Sequence, residues 1–475
     1  MIPRQLLALR APMSLAQSVA LLSATALGCG AVLGFVGVMT TNVTVAIAGA
    51  VLATASLVVL TGARWLDPLH LLIYSLPLPA LYSTESARVA PALVASGIVL
   101  MAWLLGRGAD PRPLPWRSIP WRATLLLLAV LMCATALAQH PLLAMRELIN
   151  WSVLLALLFV AITELGLAPS RVRTIALTIA GLAAVCGGLA LLETMGVIPS
   201  RFLRPTSTLN RAALGFGWPN ELGMFMALCL PFSVYACDVA STRGTRTLAR
   251  AGLGAAVIGL VATFSRGSWL AVLVSTLLLL VVGERRFAVR IWVTALIAGI
   301  VLDILSGGAI RDRIASTIGD WVVEQRAALT LAGVLMFRAH LLIGVGPGGF
   351  AESLQEYGPG VSWLWDYLPT AQNTFVQMAA EVGAIGLIAL LVFQGSTLRM
   401  LLRGVKAKRL AGAAGASDIP LQRALLWAFG VACALGFVEW TFAHGIGQMI
   451  MLIAAMGFAL DSAAGERAER VLVRA

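Results

Sequence analysis

The chain has 475 residues, 59% of them hydrophobic and only 12% charged, with a mean hydropathy of +0.90. A soluble domain carries about twice that charged fraction, so an aqueous core is excluded and lipid must cover the apolar surface. The formal charge of +12 comes from arginines dispersed over short loops, with Lys406 and Lys408 the only lysines; this is loop anchoring at a cytoplasmic face and excludes nucleic acid as a partner.

Arg4 and Arg10 precede a long apolar run with no small-residue cleavage site after it, so a retained first helix is expected. A bilayer core of about 30 Å takes about 20 helical residues. By that measure, spans are predicted near 14–37, 42–61, 67–83, 89–105, 122–139, 146–163, 171–193, 217–238, 249–264, 267–283, 287–305, 372–396, 421–440 and 444–461. The fold class is therefore all-α, a polytopic transmembrane bundle of 12–14 helices. Fourteen is favoured; 67–83 and the closely spaced last pair are the weakest.

Alternate loops hold the basic residues: Arg64; Arg107, Arg112, Arg117 and Arg122; Arg171 and Arg173; Arg243, Arg246 and Arg250; Arg285, Arg286 and Arg290; Arg399 to Arg409; and the tail Arg467, Arg470, Arg474. This alternation puts both termini in the cytoplasm. The six cysteines lie in or beside apolar runs without metal-ligand spacing and read as core thiols. No metal or cofactor is expected, and the whole of 1–475 reads as a single integral membrane domain.

Two loops on the opposite side break the charge rule. The segment 194–216 holds Arg201, Arg204 and Arg211, and the long loop 306–371 holds Arg311, Arg313, Arg326, Arg338 and His340, with Trp321, Trp363 and Trp365 suited to an interface. Within it, 320–339 reads as an amphipathic helix lying on or dipping into the membrane. Long loops are more often functional than decorative.

The run 249–283 is too long for one span, and Ser265-Arg266-Gly267-Ser268 is the polar group that can turn it. Arg266 then sits at the outer boundary, where it serves no topological purpose and is costly unless it meets an anion or a cavity. Arg326 starts the amphipathic stretch, either pairing with Glu324 or serving a ligand. After Arg338 and His340, Gly344-Val345-Gly346-Pro347-Gly348-Gly349-Phe350 formally matches GxGxxG. No strand–helix unit surrounds it and Pro347 interrupts it, so a re-entrant turn is expected rather than a dinucleotide site. Trp218-Pro219-Asn220-Glu221 opens a span whose Asn220 and Glu221 face a polar cavity or cap the helix. Ala371-Gln372-Asn373-Thr374 opens the span after the long loop, with Glu381 deeper in it, either at a functional site or in an interhelical hydrogen bond. Glu439 and His444 flank the last outer turn and carry the same two readings.

The order Trp218-Pro219-Asn220, Ser265-Arg266-Gly267, Arg326, Gly344 to Gly348 with Phe350, Gln372-Asn373 and Glu381-Val382-Gly383-Ala384-Ile385-Gly386 resembles the O-antigen ligase/polymerase family over about 210–395. The resemblance implies a metal-independent inverting glycosyltransferase of GT-C type with one long periplasmic loop, in the bacterial inner membrane among its lipids. Such proteins move a glycan from undecaprenyl diphosphate to an acceptor hydroxyl, on lipid A-core in ligases or on another lipid-linked glycan in polymerases. It assigns Arg266 and Arg326 to the diphosphate, whose growing charge calls for preorganised guanidiniums. Arg211, Asn220, Arg338, His340, Asn373 and Glu381 are the substrate-binding candidates. Gln372 stands where the ligases have the histidine proposed as base, and an amide cannot take that proton. Either His340, Glu381 or His444 replaces it, or Gln372 only orients the acceptor, or ligation is lost. Ligation is the leading expectation; a polysaccharide polymerase on the same carrier, a lipid-glycan transporter and a non-catalytic scaffold are the alternatives. A transporter would often show repeated halves, and none is visible.

Overall fold

The computed structural model describes residues 67–78, 82–83, 88–89, 91–109, 121–166, 169–199, 211–315, 321–358, 370–410, 418–442 and 445–474. They form sixteen α-helices and one short antiparallel pair, β1 (Tyr82–Ser83) with β2 (Arg88–Val89). The helices are α1 (Pro68–Ser75), α2 (Pro91–Ala109), α3 (Trp121–Ala136), α4 (Pro141–Gly166), α5 (Pro169–Thr194), α6 (Pro219–Val239), α7 (Arg243–Ala262), α8 (Arg266–Ser275), α9 (Leu277–Val281), α10 (Arg285–Leu305), α11 (Ala309–Ala315), α12 (Trp321–Ala339), α13 (Phe350–Tyr357), α14 (Thr374–Leu410), α15 (Ile419–Leu435) and α16 (Ile446–Arg474).

Twelve of the fourteen apolar runs fall on helices; the runs 14–37 and 42–61 lie outside the described residues. The run 67–83 is helical only over the eight residues of α1. Among the described residues, five helices, α4, α5, α6, α7 and α14, are long and apolar enough to cross a membrane. Many large apolar side chains point outward, among them Trp292, Leu296, Ile297, Ile300 and Ile304 on α10. This is a multi-pass membrane protein. Cys186 and Cys229 are buried as expected, but Cys133 is exposed on α3 beside the outward Met132, because an apolar helix places weakly polar thiols on its lipid-facing side as readily as in its core.

The chain divides into two compact units, Met1–Leu72 with Val94–Pro113, and Ile73–Leu93 with Leu114–Ala475. In the first, Asp67 caps α1 by accepting the Leu69 N–H at 2.9 Å. The second holds every candidate functional residue.

Within the second unit, side-chain contacts sort the helix termini into two ends. At one, Arg173 at the start of α5 and Lys408 near the end of α14 both bond Asp418 before α15, at 2.5 and 2.9 Å. Arg423 on α15 bonds Asp238 at the end of α6 and Glu284 before α10, at 2.5 and 3.2 Å. These termini flank the arginine-bearing loops at 171–173, 243–250, 285–290 and 399–409, which therefore share one end. The opposite termini of α5, α6, α14 and α15 must then lie at the other end. Arg423 also sits 3.6 Å over the Phe287 ring. Arg423→Ala is expected to cost about 2–4 kcal/mol, because it strands the Asp238 carboxylate and leaves Glu284 with Arg409 as its remaining ion-pair partner. Arg423→Lys restores little of this, since an ammonium lacks the planar fork. Thermal unfolding of both variants in detergent measures the difference.

The long loop 306–371 contains α11, α12 and α13. One face of α12 buries Leu329, Ala332 and Met336 with Val345, Phe350, Ala371 and Ala380. Its exposed face carries Leu331, Val334 and Leu335. Apolar residues on both sides suit a helix with protein on one side and hydrocarbon on the other.

The glycine run is a turn packed on the bundle. Helix α14 breaks at Gly383, whose φ is 73°, and the break frees backbone groups that need partners. Val345 and Gly346 donate their N–H groups to the carbonyls of Ala380 and Glu381, both at 2.9 Å, and Ala384 donates to Leu341 at 2.8 Å. The approach requires glycine on both sides. A Cβ on Gly344 would fall on the backbone of Ala380 and Glu381, and one on Gly383 on the backbone of Leu342 and Ile343.

Candidate functional site

Four arginines from four segments converge at the end of the unit away from the ion-pair network. Arg211 precedes α6 in a segment clamped by the buried Glu193 carboxylate, which accepts the N–H groups of Ala213 and Leu214 at 3.0 and 2.8 Å. Arg211 Nε donates to the Thr263 carbonyl at 2.9 Å, beside the α7–α8 turn. That turn is fixed by Thr263 Oγ1 on Leu260 O at 2.7 Å, Trp269 Nε1 on the same carbonyl at 3.1 Å, and the Ser265–Ser268 hydroxyl pair at 3.0 Å. It presents Arg266 at the first position of α8. Arg266 Nη1 donates to the Arg313 carbonyl at 3.2 Å, and Arg313 Nε reaches back to Phe264 O at 3.4 Å. The turn and α11 thus hold each other.

Arg326, on the first turns of α12, completes the set. Its Nη2 donates to Glu439 Oε1 at 2.5 Å and its Nη1 to the Val438 carbonyl at 2.7 Å. Asn220, near the start of α6, links the two sides: its Oδ1 accepts Arg211 Nη2 at 2.9 Å and its Nδ2 donates to Glu439 Oε1 at 2.8 Å.

Charge in this patch is unbalanced. Burial lowers the Arg211 guanidinium to about 10, and Arg313, Arg266 and Arg326 push in the same direction, with Glu439 opposing them. Burial raises the Glu439 carboxyl above its ordinary value, against the pull of Arg326 and with a push from Glu221. Four guanidiniums facing two carboxylates make a partly dehydrated site with excess positive charge, suited to an anion of more than one charge.

Gln372 and Asn373 belong to the same end. Asn373 Oδ1 caps α14 by accepting the N–H groups of Phe375 and Val376 at 2.9 and 3.1 Å, and its Nδ2 donates to Phe437 O at 3.0 Å. Thr374 Oγ1 donates to the Glu439 carbonyl at 2.8 Å. The start of α14 is therefore laced to the turn that carries Glu439. Gln372 has a φ of 53° and its Nε2 bonds Thr370 Oγ1 at 3.1 Å. Among the described residues, the other non-glycines in the left-handed region are Leu214 and Phe264. Each of the three lies in a turn next to a site residue, where strained backbone is held by its surroundings.

The remaining candidates lie elsewhere. Arg338 is exposed near the end of α12, about 18 Å along the helix axis from Arg326. His340 bonds Tyr357 Oη at 3.1 Å, with the rings edge-on. Buried Glu381 accepts the Phe350 N–H at 3.3 Å and Gln377 Nε2 at 2.8 Å, bonds that tie the glycine turn to α14. His444 lies outside the described residues.

Sequence reasoning gave no site role to Arg313 or Glu193 and left Glu439 open between two readings. The available signal for Arg313 was its place in the arginine-bearing outer loop. Nothing local marks Glu193 or ties Glu439 to an arginine 113 residues earlier.

The chain has no match among curated proteins. Residues 251–391, which contain Arg266, Arg326, the glycine turn and the kinked start of α14, match the family model described as O-Antigen ligase.

Proposed function

We propose that the arginine-lined end of the bundle faces the periplasm and transfers a glycan from undecaprenyl diphosphate to an acceptor hydroxyl, as an O-antigen ligase acting on lipid A-core. The convergence of Arg211, Arg266, Arg313 and Arg326 at one end, opposite the cytoplasmic-type loop charges, carries this reading. The fold is read as GT-C type with fourteen spans, and 306–371 as the periplasmic segment.

In this reading the acceptor oxygen attacks the anomeric carbon from the face opposite the diphosphate, with inversion and without a metal. As the C–O bond breaks, its electron pair passes to a diphosphate oxygen. Guanidiniums already fixed by Thr263, Arg313 and Val438 carbonyls meet that charge without reorganising, which is where preorganised donors contribute most. Gln372 and Asn373 orient the acceptor beside the Glu439 turn.

The test is deletion of the gene, complementation with wild type, Arg266→Ala or Gln372→His, and gels of lipopolysaccharide and free polysaccharide. Polymer-capped lipopolysaccharide is expected to vanish on deletion, to return with wild type, and to stay absent with Arg266→Ala, which removes about 10²–10³ in rate. Gln372→His is expected to raise capping by up to about 10-fold by adding a group that can take a proton. Unchanged capping with a missing separate polymer would move the assignment to polymerase. No glycan change in any strain would overturn catalysis.

A further inference from the structure

We propose that Glu439 is the catalytic base, taking the proton of the acceptor hydroxyl through the carboxylate oxygen Oε2. The inference rests on the transferase reading above and adds a residue outside the matched span 251–391.

The geometry selects Glu439 by its bonds. Gln372 has no lone pair basic enough for the task. His340 is engaged with Tyr357, and Glu381 is tied to Phe350 and Gln377. Glu439 is bonded directly to the site arginine Arg326 and, through Asn220, to Arg211. Arg326 Nη2 and Asn220 Nδ2 both bond its Oε1, and among the described residues no hydrogen bond engages Oε2, which is left for the acceptor hydroxyl. The backbone cannot swing away: the carbonyls of Phe437, Val438 and Glu439 accept Asn373, Arg326 and Thr374 in turn. An acceptor sugar held at Gln372 and Asn373 therefore lies against the turn that carries this carboxylate.

The step balances. The acceptor oxygen forms its bond to the anomeric carbon, the carbon–diphosphate oxygen bond breaks with its electrons leaving on diphosphate, and the hydroxyl proton passes to Glu439 Oε2. The charged groups facing Glu439 are Arg326 on α12, Glu221 on α6 and Arg211 before α6, with Arg266 and Arg313 beyond Arg211. Burial raises its carboxyl above the ordinary value of 4.5, Arg326 and Asn220 oppose this, and Glu221 adds to it. A base raised toward the working pH is a stronger proton acceptor.

The test uses full-length protein added to membranes of the deletion strain, which keep their own lipid-linked glycan and acceptor. Initial transfer rates are measured across pH, and binding is measured with undecaprenyl diphosphate alone as probe. Glu439→Gln preserves shape and can still bond Asn220, so a fall of about 10²–10⁴ in rate is expected. Binding of the probe should be unchanged or tighter, because one negative charge has left the arginine cluster. Wild type should show an acid limb above the ordinary glutamate value, Glu439→Asp should displace it, and adding Gln372→His to Glu439→Gln should restore part of the rate. A wild-type rate in Glu439→Gln would overturn the proposal. So would parallel loss of rate and probe binding, the mark of a purely structural residue, or a wild-type profile flat on its acid side. Absence of transfer by wild type itself would instead overturn the transferase reading, and this proposal with it.

Discussion

Arg326→Ala is expected to abolish transfer, lowering the rate by about 10³-fold or more, and to destabilise the protein at the same time. Loss of one preorganised donor removes about 10²–10³. Arg326 also fixes the position of Glu439 through two bonds at 2.5 and 2.7 Å, so misplacement of the carboxylate adds to the loss. For stability, truncating one partner of a buried pair costs about 3–5 kcal/mol. With the Arg326 side chain 30% exposed, solvent screening reduces this to about 2 kcal/mol. The two effects separate in the double variant Arg326→Ala/Glu439→Gln, which removes the stranded charge. Its thermal midpoint in detergent is expected to recover most of the loss, while its transfer rate stays at the level of the single variant. Recovery of rate together with stability would show that Arg326 acts only as a structural counter-ion and that Glu439 is not the base.

Gly383→Ala is expected to be the most damaging change to the fold, at more than about 4 kcal/mol. A side chain there must adopt a φ of 73° and place its Cβ on the backbone of Leu342 and Ile343. Relief requires α14 to straighten or the turn to withdraw. Either breaks the three backbone bonds of Val345, Gly346 and Ala384 in a low-dielectric interior, where unpaired groups are costly. The same movement dislodges Phe350 and Val345, which pack with Leu329, Ala332 and Met336 of α12. Since α12 carries Arg326, activity is lost with the packing. Ile385→Ala, at an outward position two residues on, is the control and is expected to stay within about 0.5 kcal/mol. Size-exclusion profiles and thermal unfolding of the two variants give the comparison. Equal behaviour would mean that α14 does not need its break.

The membrane fold is legible in the amino-acid sequence to a greater degree than the pairing of its polar residues. Composition and apolar run length determine the helical, membrane-embedded class, because hydrocarbon leaves a helix no alternative partner for its backbone. Loop arginines sort the termini into two sets, and Arg173, Lys408 and Arg409 do share an end; Arg423, inside a predicted span, joins them through Glu284. Arg266 stands out locally, because a guanidinium in the only polar break of a long apolar run needs a reason. The glycine-rich turn also follows from the chain, as Pro347 and the lack of a strand argue against a nucleotide loop.

What the chain does not reveal is which polar residues meet. Arg338, His340 and Glu381 have the composition of a site, but Arg338 lies about 18 Å along α12 from Arg326, His340 follows α12 and bonds Tyr357, and Glu381 is tied to Phe350 and Gln377. Glu439 and Arg313 look ordinary in sequence, and only the return of α15 and the short α11 bring them to Arg326 and Arg266. Periodicity determines which face of a helix is buried, but the partner across the interface depends on packing between segments more than a hundred residues apart. Tertiary structure alone therefore decided that Arg211, Asn220, Glu439 and Arg326 form one hydrogen-bonded chain. The sequence by itself determined that such a chain, if built from these loops, would carry surplus positive charge away from the cytoplasmic-type loops.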